Sequence, residues 1–484
     1  MKKPDYDWWV ANAHTDSSLL LLMSDEFLFD QAIQHRCGLV GRTDVEGLVN
    51  QSKYRAIFEQ DRFGSMSSIL SEITAPVSLS PARTVSGNVT VEGRSFRDDG
   101  GCFPVAGISA FWIPWAIQNE PGRVERLAEY AVGCGFTAVR WFSSHNWYGG
   151  LDPRNTPGYW DIMGKAVERL GDLGLRSEVT LVTRRFLIHD IEEHAKEWGL
   201  IAQAQRPYLA LIEIANEFNH SHNKVGRSDV KRAAEVVRAY SADVPLALSA
   251  PAGSSWEEMK SELVNLYDRG CANAVTIHFP RKAPLGGEED WRWVRQPWHS
   301  RFRIPGCPET IVDNEHQKWS KAIGLRDDVA VPVSALVTAF ISGCGWSNHH
   351  DQCGVFPDEE YVSVKNAQQF QSSCSKVLKM LPPDVAKWRR TRVGDGGPHP
   401  YPSLESQHWT FNNIGEGVSR AFAAVNGDRF VMSLTGVRGS VTLNELHSGI
   451  KVVSLRDGET VYTGNGPVKL TEAKSSAFLV TGTN

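Results

Sequence analysis

Short apolar runs alternate with longer amphipathic stretches through the middle of the chain. The runs are VAGISAF at 105–111, FTAVRWF at 136–142, LRSEVTLVT at 175–183, LALIEIANE at 209–217, VPLALSA at 244–250, NAVTIHF at 273–279, ETIVDNE at 309–315 and LVTAFISG at 336–343. Strands that alternate with helical patterns are typical of βα units and of a parallel sheet. Eight strands close a (β/α)8 (TIM) barrel, so the pattern predicts an α/β chain built on this barrel.

The helical stretches between the runs carry ordinary helix punctuation. In PGRVERLAEYAVGCG, Pro121 stands near the start, and Gly133 and Gly135 stand near the end. Proline suits the first turn of a helix and glycine suits its end, so this segment predicts one of the barrel helices.

The start of the chain has a different texture. Residues 1–80 place apolar and charged residues at helix-like spacing, as in DEFLFDQAI and SSILSEI, and predict a helical N-terminal extension. From residue 85, VSGNVTVEGRSFRDDGG alternates β-branched residues with glycine and aspartate turns. This stretch predicts a hairpin before the first barrel strand.

The end of the chain changes texture again, after a double proline at 382–383 and a Gly/Pro-rich linker at 394–402. Short strand-like segments follow, namely RFVMSLTG, SVTLNEL, IKVVSLRD, ETVYTG and SSAFLVTG. They predict a small antiparallel β-sandwich domain. The predicted division is an extension over 1–80, the barrel over 81–392 and the sandwich over 393–484.

Composition and charge narrow the class of partner. With 484 residues the chain exceeds one barrel, and its formal net charge of −5 gives no basic stripe for nucleic acid. A neutral or uncharged substrate fits this balance best. Sixteen tryptophans suit both core packing and the apolar faces of sugar rings.

The sequence gives no sign of export, of a metal centre or of a disulfide framework. Eight cysteines lie without CxxC spacing, and we expect them to be mostly reduced. The apolar run Leu19–Met23 is too short for a signal peptide or a membrane span. We therefore expect a soluble protein without a membrane partner, cytoplasmic or released by a non-classical route, whose oligomeric state stays open.

The segment LALIEIANEFNH carries the clearest chemistry, because barrel enzymes place reactive groups at the carboxyl ends of strands. Side chains alternate along a strand, so Glu213 and Glu217 should both point into the barrel, with Glu217 at the rim. Asn216 is adjacent to this rim carboxylate.

This segment resembles the strand-four motif of the clan A retaining glycoside hydrolases, most closely the cellulase and mannanase type family. The resemblance implies that Glu217 is the general acid/base and that Asn216 binds a sugar hydroxyl. It also implies a nucleophile at the end of strand seven, where Glu315 stands in PETIVDNEHQ. By the same resemblance, Arg140 steadies the nucleophile and His278 is a strand-six site residue.

Further site residues are aromatic. The resemblance implies that Trp346 on strand eight forms the floor of a sugar subsite. Trp147 and Trp112 are candidates to line the cleft. HNWYGG at 145–150, which follows strand two, is the candidate substrate-binding loop.

Two assignments keep alternatives. Asp313 and Glu309 lie near Glu315, and strand parity alone does not separate Asp313 from it. His349, His350 and Asp351 suggest a metal site, but adjacent histidines point apart in a strand, and loop polarity is the favoured reading.

The prediction is a retaining glycoside hydrolase that cleaves β-glycosidic bonds in an oligo- or polysaccharide, with two carboxyl groups and no metal or cofactor. A carbohydrate-binding protein on an inactive barrel and a transglycosylase with the same site remain as alternatives. The sugar, its linkage and the choice between endo and exo cleavage are not determined by the sequence.

Overall fold

A computed structural model describes residues 85–252, 256–268, 270–278, 304, 306–318, 329–393, 410–412, 420–427, 429–435, 440–444, 449–465, 467–471 and 477–483. The predicted helical extension over 1–80 and the predicted linker over 394–402 lie outside these residues. The division of the chain into three domains stays a prediction.

Eight parallel strands form the central sheet. They are β4 (Ala106–Ser109), β5 (Ala138–Phe142), β6 (Arg176–Val182), β7 (Leu209–Asn216), β8 (Leu246–Ala250), β9 (Val275–Ile277), β10 (Ile311–Lys318) and β11 (Cys344–His349). Hydrogen bonds join them in the order β8-β7-β6-β5-β4-β11-β10-β9. The two end strands also meet, because the Ala274 amide donates to the Leu246 carbonyl at 3.1 Å. The sheet therefore encloses a barrel, as predicted.

Helices cover the outside of this barrel. They are α1 (Ile113–Asn119), α2 (Pro121–Cys134), α3 (Tyr159–Asp172), α4 (Ile191–Ala204), α5 (Arg227–Tyr240), α6 (Trp256–Leu266), α7 (Ala330–Ile341) and α8 (Ala367–Met380). Helix α2 begins at Pro121 and ends before Gly135, which has a left-handed φ of 81°. The predicted helix punctuation is therefore confirmed for this segment.

One predicted strand is wrong. The run LVTAFISG at 336–343 belongs mostly to helix α7, and the eighth barrel strand is the following segment, β11. Helix α7 is buried on all sides along residues 332–341, and Thr338 on it shares a 2.8 Å hydrogen bond with Ser433 of the C-terminal region. A helix buried all round has no polar face, so a short apolar run cannot be told from a buried strand by its pattern.

The predicted hairpin before the barrel is confirmed and is extended to three strands. Strands β1 (Thr90–Glu92), β2 (Ser95–Asp98) and β3 (Gly101–Phe103) pair in antiparallel fashion. Their apolar side chains share a core with residues at the amino ends of the barrel strands, including Phe96, Phe103, Ala138, Ala210 and Val312. This layer closes the end of the barrel opposite to the carboxyl ends of the strands.

Antiparallel sheets follow the barrel, as predicted. A six-stranded sheet has the order β12 (Arg389–Val393), β14 (Arg420–Asn426), β15 (Arg429–Thr435), β20 (Ala477–Thr483), β17 (Gly449–Ser454) and β18 (Thr460–Gly464). A three-stranded sheet has the order β13 (Thr410–Asn412), β16 (Ser440–Asn444) and β19 (Val468–Thr471). Met432 of the first sheet and Leu470 of the second belong to one apolar cluster.

Within the described ranges, no helix combines the length and the apolar character needed to cross a lipid bilayer.

Candidate active site

The carboxyl end of β7 brings two polar side chains to the barrel mouth. Asn216 is the last residue of the strand, and Glu217 follows it with a left-handed φ of 43°. A left-handed backbone is costly for a residue with a Cβ, so the surrounding structure must hold it. The Phe218 amide donates to the Ser249 hydroxyl at 3.1 Å, and the Asn223 side chain donates to the Asn216 carbonyl. These bonds fix the turn that carries Glu217.

Arg140 on β5 is the centre of the charge network inside the barrel. Its guanidinium is fully buried, with Nη1 3.4 Å from Glu315 Oε2 and Nη2 3.1 Å from Glu213 Oε2. The same Nη2 donates to Asn216 Oδ1 at 2.9 Å. Burial by itself would lower the pKa of Arg140, but the surrounding carboxylates outweigh burial and raise it. The arginine is therefore a fixed cation that joins β5, β7 and β10.

Glu178 on β6 is a third carboxyl group beside Arg140. Its Oε1 lies 3.9 Å from Arg140 Nε, and the side chain is fully buried. Burial raises the pKa of Glu178 to about 7; Arg140 opposes this rise and Glu213 reinforces it. Of the carboxyl groups around this guanidinium, Glu178 is therefore one whose protonated form is favoured by burial.

His278, which follows β9, lies between the two candidate catalytic glutamates. Its Nδ1 is 3.1 Å from Glu217 Oε1, and its Nε2 is 3.3 Å from Glu315 Oε2. Burial lowers the pKa of His278, but the two carboxylates outweigh burial, and the net direction is upward. A single imidazole thus contacts both glutamates, which the sequence had placed 98 residues apart (315 − 217).

A β-bulge separates Glu315 from Asp313. Asp313 pairs with Ile277 and Trp346 in the parallel ladder, and the register shifts before His316. Paired residues of a parallel ladder share a face, and a bulge reverses the alternation that follows it. Glu315 therefore points to Arg140 and His278, whereas Asp313 does not share its face. The prediction that parity puts both residues on one face is wrong for this reason.

The prediction for Trp346 is also wrong. Its ring is fully buried and meets Phe136, which packs on α8, with ring centroids 6.0 Å apart. Strand parity explains this placement, because Trp346 pairs with Ala106 on the face toward the helices. The inward residue at the carboxyl end of β11 is His349, whose Nε2 lies 3.7 Å from Glu315 Oε1.

The two other candidate tryptophans occupy different places. Trp112 is buried, and its indole donates to the Cys353 carbonyl at 2.6 Å, so it packs beneath the rim. Trp147 is half-buried in the loop after β5, where its ring stacks on His145 with centroids 4.1 Å apart. Only Trp147 of this pair presents ring surface at the mouth.

His350, which was considered with His349 as a metal ligand, turns the other way. Its Nδ1 accepts hydrogen bonds from the Gln352 and Cys353 amides, both at 3.2 Å. The two histidines therefore point apart, as strand alternation predicts. Glu309 is exposed before β10 begins, away from the Glu315 carboxylate.

Comparisons with known proteins bear on this arrangement. No protein-family model matches the sequence, and no curated protein matches it significantly. Among solved structures, a glycoside hydrolase family 5 protein from Bacteroides vulgatus is similar at a TM-score of 0.56 and 14% identity, over 82% of this chain and 94% of that chain. The shared feature is the fold.

Two further solved structures are similar at lower scores. A family 27 β-L-arabinopyranosidase from Geobacillus stearothermophilus has 9% identity and a TM-score of 0.48, over 79% of this chain and 97% of that chain. An endo-1,4-β-mannanase from Rhizomucor miehei has 12% identity and a TM-score of 0.46, over 61% of this chain and 100% of that chain.

Sequence reasoning missed Glu178 and did not place His349 at Glu315. A signal for Glu178 was present, because a charged residue inside the apolar run LRSEVTLVT implies an interior partner. His349 required the true position of the eighth strand.

Proposed function

We propose that this protein is a glycoside hydrolase that cleaves β-glycosidic bonds with retention, with Glu217 as general acid/base and Glu315 as nucleophile. The observation that carries the proposal is the contact of one imidazole, that of His278, with both carboxyl groups at the mouth of the barrel. The likeness to the fold of a family 5 glycoside hydrolase supports it.

The electrostatics of the two glutamates suit different roles. Glu315 contacts the Arg140 cation, which stabilises negative charge on it, as attack on an anomeric carbon requires. Glu217 is the more exposed of the two, with 28% of its side chain accessible against 14% for Glu315. A residue that first protonates a leaving oxygen and then activates water needs this access.

Retention fits carboxyl groups about 5–5.5 Å apart, a separation that permits a covalent glycosyl-enzyme. His278 contacts both carboxyl groups, Glu217 through Nδ1 and Glu315 through Nε2, so the two groups lie around one imidazole ring. Arg140 anchors the side chain of Asn216, which supports the proposal that Asn216 orients a sugar hydroxyl beside Glu217.

The test begins with a panel of defined oligosaccharides and polysaccharides and continues on an aryl glycoside of the sugar released. With Glu217→Ala, an aryl group that needs no protonation should still leave, and azide should restore turnover as the β-glycosyl azide. With Glu315→Ala, azide can only replace the nucleophile and yields the α-glycosyl azide. Asp313→Ala is the matched control and should retain the stereochemical outcome of the native enzyme.

Each other result contradicts a defined part of the proposal. Glycan binding without turnover would favour the inactive-barrel alternative, and transfer to added sugar acceptors in preference to water would favour a transglycosylase. Near-normal activity in both Glu217→Ala and Glu315→Ala would overturn the two-carboxylate mechanism.

A further inference from the structure

Arg184 stands at the barrel mouth two residues after the end of β6 (Arg176–Val182). Its side chain is half-buried, and its Cζ lies 5.2 Å from the centroid of the Trp147 ring. Trp147 is itself held by stacking on His145 and by a hydrogen bond from its indole to the Val355 carbonyl at 3.3 Å. The loops after two neighbouring strands thus assemble one cationic and aromatic surface.

The surface keeps a fixed charge state. Burial lowers the pKa of His145 to about 3, so this imidazole is neutral and adds no charge of its own. Burial also lowers the pKa of Arg184, and the carboxylate of Glu217 opposes that shift. Arginine remains protonated throughout the working pH range of proteins, so Arg184 supplies the positive charge here, within electrostatic reach of Glu217.

Arg184 differs from other arginines on the outside of the barrel. Several of those arginines form ion pairs, such as Arg126 with Glu360 at 2.7 Å and Arg227 with Glu262 at 2.6 Å. Within the described part of the chain, the Arg184 guanidinium forms no ion pair within 4.0 Å and no hydrogen bond. Contact with an aromatic ring uses no hydrogen-bond acceptor, so the N–H groups of Arg184 can take a bidentate acceptor.

We propose that Arg184, held on Trp147, binds a carboxylate or sulfate group of a sugar beside Glu217, so that the substrate is an anionic glycan. This inference rests on the proposed function. It replaces the expectation of a neutral substrate, which came from the net charge of the whole chain. Net charge averages over the surface, whereas recognition depends on the charge that faces the ligand.

The experiment uses the full chain and three series of oligosaccharides, with gluco-, manno- and xylo-backbones. Within each series the members have the same backbone and are either neutral, uronate-bearing or sulfate-bearing. We expect kcat/KM to be at least about tenfold higher on an acidic member than on its neutral counterpart. The uronate and sulfate arms identify which anion is bound. Raising the salt concentration should increase KM on the acidic member, because the guanidinium is accessible to solvent.

Arg184→Gln should reduce the acidic-to-neutral ratio of kcat/KM by about tenfold or more. Arg184→Lys, which keeps the charge but loses the planar fork, should give an intermediate ratio. Arg169→Gln removes the same charge from helix α3 and should leave the ratio unchanged. An equal loss on both members in Arg184→Gln would show that Arg184 acts on the catalytic groups, and would overturn the inference.

The two proposals fail in different ways. Hydrolysis of neutral glycans with no preference for acidic ones would overturn the anionic substrate and leave the glycoside hydrolase intact. Hydrolysis of no member of the panel would overturn the proposed function, and this inference with it.

Discussion

Replacing Glu178 with glutamine removes one of three carboxyl groups around Arg140 and keeps the shape of the side chain. Glu178 is fully buried, and burial raises its pKa from 4.5 to about 7. Its carboxylate therefore destabilises the folded state whenever it is ionised. Each factor of ten in proton affinity corresponds to about 1.4 kcal/mol, so the full penalty is about 3 kcal/mol above pH 7.

The sign of the pH dependence follows from proton binding. Between pH 4.5 and about 7 the folded protein binds the Glu178 proton and the unfolded chain does not, so stability falls as pH rises through this window. Glutamine cannot ionise, so the stability of the Glu178→Gln protein lacks this decrease with pH. Glu178→Gln should therefore match the native protein near its low-pH limit and exceed its free energy of unfolding by about 3 kcal/mol at about pH 8.

Urea unfolding at several pH values measures this difference in the free energy of unfolding. The other titrating groups are common to both proteins, so their contributions cancel in the difference. Glu168→Gln on helix α3, which replaces an exposed carboxyl, is the matched control. If Glu178→Gln is instead destabilised at about pH 8, Glu178 is an ionised partner of Arg140, and the reasoning on three carboxylates and one cation is refuted.

Three further changes probe the core, the site and the barrel floor. Trp346→Ala should lower the free energy of unfolding by about 3–5 kcal/mol, because the indole fills the core, while the KM of the folded protein stays unchanged. A raised KM with unchanged stability would show instead that the ring lines the cleft. Since the carboxylates raise the pKa of His278, its imidazolium stabilises the fold at low pH, and this stability is lost as pH rises through the folded pKa. His278→Gln should therefore be most destabilising below about pH 6, as measured by urea unfolding, and a deficit that grows with pH would contradict this. Asp98→Asn leaves Arg176 buried without its 2.9 Å partner and should cost about 3–5 kcal/mol in thermal or urea unfolding; a neutral effect would mean that water or relaxation compensates the charge.

The sequence by itself determined the architecture of the barrel and the strand ends that carry chemistry. Strand period and helix punctuation are local properties, so seven of the eight strands and the antiparallel C-terminal sheets were predictable from short segments. Asn216 and Glu217 were found in the same way, because a polar pair after a buried apolar strand of a barrel marks its mouth.

Only the tertiary structure decided which side chains meet. The all-apolar helix α7 took the place of a predicted strand, because burial between the barrel and a second sheet removes the amphipathic signal. A β-bulge in β10 places Glu315 on the inner face of the barrel and Asp313 on the other face. In β11 the regular alternation of side chains places Trp346 on the face that packs against the helices. Local sequence specifies periodicity, but a register shift depends on the neighbouring strands.

The electrostatics were likewise set by assembly in three dimensions. Burial favours the protonated form of Glu178, which β6 places beside a cation that Glu213 and Glu315 also contact. The number of carboxylates that share the Arg140 guanidinium cannot be predicted from the segment LRSEVTLVT alone. Desolvation and charge sharing depend on the whole surroundings of a group, and residues distant along the chain supply those surroundings.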